Sequence, residues 1–133
     1  MGRAREYLHC VELLRQQLEP TDPLLVTLFS PLGLVGLWCG KQAIPELLAE
    51  PRAVSHQVLG ALGALVCQLA QECVRLGADG IYYSCWGQDV LTDSEYAEFG
   101  VPYDLAGLVG ARDVGLRVLH IHGALGGEGG ALL

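Results

Sequence analysis

Three short apolar runs, set apart by long stretches of helical periodicity, constrain this chain more than any other feature. They are Leu24 to Phe29, Asp79 to Tyr83 (DGIYY) and Leu116 to Ile121 (LRVLHI). Strands joined through helices pair in parallel by right-handed crossovers. The order helix, strand, helices, strand, helix, strand therefore predicts a parallel α/β sheet. The first run, rich in large and β-branched residues, has the pattern of a strand buried on both faces. Three parallel strands do not close a barrel, and a complete (β/α)8 barrel takes about 250 residues. At 133 residues, the chain is expected to be a small open sheet or a piece of a barrel, folded as one incomplete domain over residues 1–133.

The intervening segments carry their own boundaries. Tyr7, Leu8, Val11, Leu14 and Leu18 recur at three- and four-residue steps, which predicts an amphipathic helix over 4–18. Pro20-Thr-Asp-Pro23 stops it. Ser30-Pro31 is an N-cap and first-turn pair, so a helix is expected from Pro31 to about Trp38, ending near Gly40. Pro45 and Pro51 open two further helices. In the second, Val54, Val58, Leu62, Leu65, Leu69 and Val74 form the expected core-facing stripe, with Gly77 as its stop. Thr92-Asp-Ser-Glu95 fits a capping box. The helix it starts carries Tyr96 and Phe99, is interrupted at Pro102 and resumes to about Gly110. Residues 124–133 hold too much glycine for a regular element and are expected to be a flexible tail.

Composition narrows the partners. The formal net charge is −7, and no cluster of Lys and Arg occurs anywhere. This argues against a nucleic-acid backbone or an anionic membrane surface and leaves small molecules and proteins open. The longest apolar run, Leu24 to Cys39, is broken by Ser30-Pro31, Gly33 and Gly36. It reads as a strand followed by a helix, short of the roughly 20 continuous apolar residues of a membrane span. The five cysteines, Cys10, Cys39, Cys67, Cys73 and Cys85, form no CxxC pair. That is the usage of reduced cysteines packed as small hydrophobes in a cytoplasmic protein. The N-terminus is charged and lacks the apolar stretch of a secretory signal.

In parallel α/β folds, chemistry gathers at the C-terminal ends of the strands. That rule selects Phe29-Ser30-Pro31 after the first run, Ser84-Cys85-Trp86-Gly87-Gln88-Asp89 after the second, and His120 and His122 at the third. The two histidines alternate with Leu119 and Ile121, so they share one strand face. Such a pair could bind a metal with Cys85 as third ligand, position a substrate, or be satisfied structurally. Cys85 could also act as a nucleophile with a histidine base, although no nucleophile elbow surrounds it. Asp79 sits at a helix-to-strand turn, where a carboxylate satisfies nearby backbone donors. The tail glycines have no strand–GxxxxGK[ST]–helix or GxGxxG context, so they make no phosphate loop.

Three segments, in order, resemble a known family. Gly77 to Asp104 (GADGIYYSCWGQDVLTDSEYAEFGVPYD) has a GAD-plus-apolar strand, a Leu-Thr turn and an aromatic helix ending in Phe99-Gly-Val-Pro-Tyr103. VTLFSPLGLVGLWCG, from Val26 to Gly40, has the strand and Pro-led helix, and Arg117 to Gly123 (RVLHIHG) has an LHxHG-type strand. Together they resemble the middle of a uroporphyrinogen decarboxylase. The resemblance implies a partial (β/α)8 TIM barrel of the uroporphyrinogen decarboxylase/methyltransferase type, with about three parallel strands. It implies a cofactor-free lyase of porphyrin (haem) biosynthesis that converts the acetate side chains of uroporphyrinogen to methyls, giving coproporphyrinogen. The tetrapyrrole would meet Ser30, Ser84, Trp86 and His120, without an assigned catalytic residue.

The resemblance also implies that the family's NH-gripping aspartate and acetate-binding arginines precede this stretch, and that its late histidine follows it. A tyrosine of true decarboxylases corresponds to Leu37, and a loop serine to Trp86. Two alternatives stay open. One is a zinc-dependent corrinoid methyltransferase-like protein, whose His-x-Cys motif would correspond to His120-x-His122. The other is a non-catalytic fragment that forms homo-oligomers through open sheet edges.

Overall fold

The computed structural model describes residues 2–122; the glycine-rich tail lies outside them. Helix α1 (Gly2–Gln17) leads into strand β1 (Leu25–Phe29), followed by α2 (Pro31–Cys39), α3 (Ala43–Ala49) and α4 (Arg52–Arg75). Strand β2 (Gly80–Cys85), α5 (Asp93–Phe99), α6 (Val101–Leu108) and β3 (Leu116–Ile121) complete the order. The sheet order is β1-β2-β3 and both pairings are parallel. Leu25 pairs with Gly80 and Phe29 with Ser84, while Gly80 pairs with Leu116 and Cys85 with Ile121. This register brings the C-terminal ends of all three strands level.

The helices cover one face of the sheet. Val26 and Leu28 of β1 join Ile81, Tyr83 and Cys85 of β2 in a core completed by Val11 of α1 and by Val66, Ala70 and Cys73 of α4. A second cluster holds Leu32, Val35, Ile44, Leu59 and Phe99 among α2–α5. None of Leu25, Thr27, Phe29, Tyr82, Val118 or His120 belongs to either cluster. β1 accordingly alternates, with Val26 and Leu28 buried and Leu25 and Thr27 exposed. This corrects the expectation of burial on both faces. In a closed barrel the second face lines the interior, and three strands leave it open.

The caps agree with the sequence. Ser30 accepts from the Gly33 amide at 3.0 Å, and Thr92 and Glu95 complete the reciprocal capping box. Gly77 follows α4 with φ 97°, a left-handed conformation that costs glycine least. Asp79 accepts from the Leu24 amide at 2.8 Å and from Arg15 at 3.1 Å, tying the starts of β1 and β2 to α1.

The inward face of α4 differs from the expected stripe. Buried are Ser55, Leu59, Gly63, Val66, Ala70 and Cys73, whereas Val54, Val58 and Leu65 are exposed. The reason is close approach. A side chain at Gly63 would meet the Tyr103 carbonyl of α6 at 3.4 Å, and one at Gly110 would meet the Cys67 carbonyl at 2.2 Å. A helix packed this tightly presents small residues inward, so a stripe read from large side chains falls on the wrong face. With 24 residues and mean hydropathy 1.4 over its most apolar part, α4 has the length and composition of a membrane span. Here it serves as the central outer helix, packed against the sheet and α6.

Candidate functional site

The level strand ends build a small polar group on the open face. Ser84 lies opposite Phe29 on one side and His120 on the other. The chain then turns, and the His122 amide donates to the Cys85 carbonyl at 2.9 Å, while the Ser30 amide donates to the Ser84 carbonyl at 3.0 Å. Strand alternation directs Tyr82, Ser84, His120 and His122 to one side. The Ser84 hydroxyl reaches the His122 Nε2 at 3.1 Å. The rings of His120 and His122 stand 4.2 Å apart at 55°, and Tyr82 lies 5.4 Å from His120. Ser84 is almost fully buried, His120 half-buried and His122 exposed.

The other residues selected from sequence lie elsewhere. Ser30 is buried and its hydroxyl caps α2. Trp86 packs across α2, and a side chain at Gly36 would meet its ring at 2.5 Å. Cys85 alternates to the helix-covered face, so it does not join His120 and His122. Among the described residues, no three of His, Cys, Asp and Glu gather as a metal site. Leu37 lies exposed on α2.

Behind the strand ends sits a group the sequence reading did not select. Asp104 of α6 is only 6% exposed. It accepts from the Tyr96 hydroxyl at 2.6 Å, the Tyr83 hydroxyl at 3.3 Å and the Cys85 thiol at 3.7 Å. Burial pushes its carboxyl up to about 6, against the lowering effect of these three donors. Burial and the neighbouring carboxylate together raise Tyr83, Tyr96 and the Cys85 thiol. The signal available in sequence was one carboxylate inside the apolar helix VPYDLAGL. Gln88, within the segment expected after the second strand, is buried, and its side-chain amide has no hydrogen-bond partner among the described residues.

On the outer rim, His56 of α4 stacks on Phe99 at 4.9 Å and bonds the Tyr103 hydroxyl at 2.6 Å. Glu98 lies 3.4 Å from the same imidazole and pairs with Arg52, which holds its carboxyl below the usual range. This network joins α4 to α5 and α6. Of the two aromatics in the Phe99–Tyr103 motif, Phe99 is buried in the second core and Tyr103 packs against it.

Parallel strands with outer helices on one face and polar groups at the carboxyl ends are the arrangement found in a segment of a parallel β/α barrel. A family model for uroporphyrinogen decarboxylase (URO-D) matches residues 1–127. The chain belongs to the uroporphyrinogen decarboxylase family, whose fold is of the TIM-barrel type. No curated protein matches it.

Proposed function

We propose that this chain supplies part of the mouth of a uroporphyrinogen decarboxylase-like barrel, where Ser84 and His120 contact a tetrapyrrole substrate. The observation that carries the reading is their juxtaposition, in register at the strand ends, on the face that lines a barrel's interior. His122 extends the same contact through its bond to Ser84. Ser30 and Trp86 contribute by fixing the loop and helix behind that face. The family reaction replaces each acetate CH₂–COO⁻ with a methyl group, releasing CO₂ and taking up a proton. An acid delivers protons to a pyrrole carbon, and a carboxylate grips the pyrrole NH groups; both are electrostatic tasks. Those groups, like the acetate-binding arginines, belong to other parts of the family's barrel, and the present stretch contributes polar contacts at the strand ends.

The test is a titration of the chain with uroporphyrin as a fluorescent, non-reacting probe, alongside a turnover assay for coproporphyrinogen. Loss of a buried hydrogen bond of about 1 kcal/mol corresponds to roughly fivefold in affinity. Ser84→Ala and His120→Ala are each expected to weaken uroporphyrin binding by about that factor or more. Unchanged affinity in both variants would remove these residues from the site. Stoichiometric zinc, lost in His120→Ala, would favour the corrinoid methyltransferase branch instead.

A further inference from the structure

Ser84 is flanked in sequence by Tyr83 and Cys85, and both flanking side chains turn to the opposite side of β2. There they meet the same carboxylate, the Tyr83 hydroxyl at one oxygen of Asp104 and the Cys85 thiol at the other. Tyr96 of α5 closes the set with its 2.6 Å bond to Asp104. The two carbonyls that receive the Ser30 and His122 amides belong to Ser84 and Cys85. One buried group on α6 thus holds the strand segment that carries the mouth serine and anchors the chain on either side of it.

We propose that Asp104 is a positioning residue for the Ser84–His122 pair, gripping the neighbours of Ser84 from the helix side so that the mouth loosens when the carboxyl ionises. The titratable groups facing it are Tyr83 and Cys85 from β2 and Tyr96 from α5. From α4, Gly63 and Val66 lie against this part of α6, and neither titrates. No cation is among the groups that influence the carboxylate. Ionised, it accepts stronger bonds from these three donors, but its charge sits in a poorly hydrated place, and burial opposes the ionised form more than the donors favour it. A carboxyl that protonates near pH 6 when enclosed, and near 4 when opened to water, favours opening as pH rises through that interval. The proposal deepens the mouth reading given above. Its readout is the backbone around Ser84, so it succeeds or fails whether or not a tetrapyrrole binds.

Amide hydrogen exchange of the whole chain between pH 4 and pH 7 tests it, with rates corrected for the intrinsic pH dependence of exchange. Protection of the Ser30 and His122 amides is expected to fall by up to tenfold per pH unit as Asp104 ionises, the limit for one linked proton. The Leu18 amide at the end of α1 is expected to lack this slope. In Asp104→Asn, neutral at every pH, the slope should vanish. A slope that persists in Asp104→Asn, or is absent from the natural protein, overturns the proposal. Should Asp104→Asn fail to fold, Tyr96→Phe removes one donor to the carboxylate and is expected to move the fall to higher pH. An unmoved midpoint there overturns the proposal equally.

Discussion

Asp104 is the residue on which environment and chemistry disagree most, since a carboxyl inside an apolar helix–sheet layer is costly without a cation. Its folded value, raised to about 6, fixes the sign of a stability effect. The contribution is fully present below about pH 4 and is lost as pH rises through 6, amounting to about 2–3 kcal/mol for a shift of this size. Urea unfolding at pH 4 and pH 7 should show that loss in the natural protein and flatten in Asp104→Asn. Equal slopes in the two proteins would place the titration elsewhere. The placement of Ser84, His120 and His122 at the strand ends on one face was legible because strand alternation needs only approximate strand boundaries. Asp104 was not, because its three partners come from β2 and α5 and nothing in local spacing brings them together. Cys85 shows the same limit: Ser84 beside it shares a face with His120, while the Cys85 side chain lies on the helix-covered face.

At the scale of elements, most boundaries followed from turn chemistry. Ser30-Pro31, Thr92–Glu95 and Gly77 act through bonds within a few residues, so the sequence alone contains the whole interaction. The orientation of α4 did not follow, because the face it buries is decided by how closely α6 approaches Gly63. The assignment of faces makes two substitutions diverge. Leu59→Ala, at a fully buried position, is expected to cost about 2–5 kcal/mol. Val58→Gln, one residue away and exposed, should stay within about 0.5 kcal/mol. Thermal unfolding of the pair checks this directly, and the reverse ranking would restore the stripe of large residues as the inner face. A third substitution probes the seat of Trp86. Gly36→Ala places a methyl where the indole now lies, and overpacking of this kind costs about 1–3 kcal/mol. Tryptophan fluorescence should move to longer wavelength as the ring is displaced toward solvent.

For the whole molecule, the sheet has two different sides. Helices and two apolar clusters make the outer side a stable layer, whereas the other side carries Tyr82, Ser84, His120 and His122, all outside both clusters. Membership of the uroporphyrinogen decarboxylase family gives that asymmetry its meaning, because the second face of such a sheet lines the interior of a closed barrel. The order of the strands and their parallel pairing were readable from sequence, whereas β2 runs to Cys85, two residues past the expected end at Tyr83. Exposure of the inner face was not, since a strand's pattern does not reveal how many neighbours it has. The most direct test is to follow the backbone and imidazole resonances of the isotope-labelled chain as uroporphyrin is added. Perturbations centred on Ser84, His120 and His122, with α4 silent, are the predicted result. Perturbations confined to the exposed face of α4, or none on the inner face, would contradict a tetrapyrrole-binding mouth.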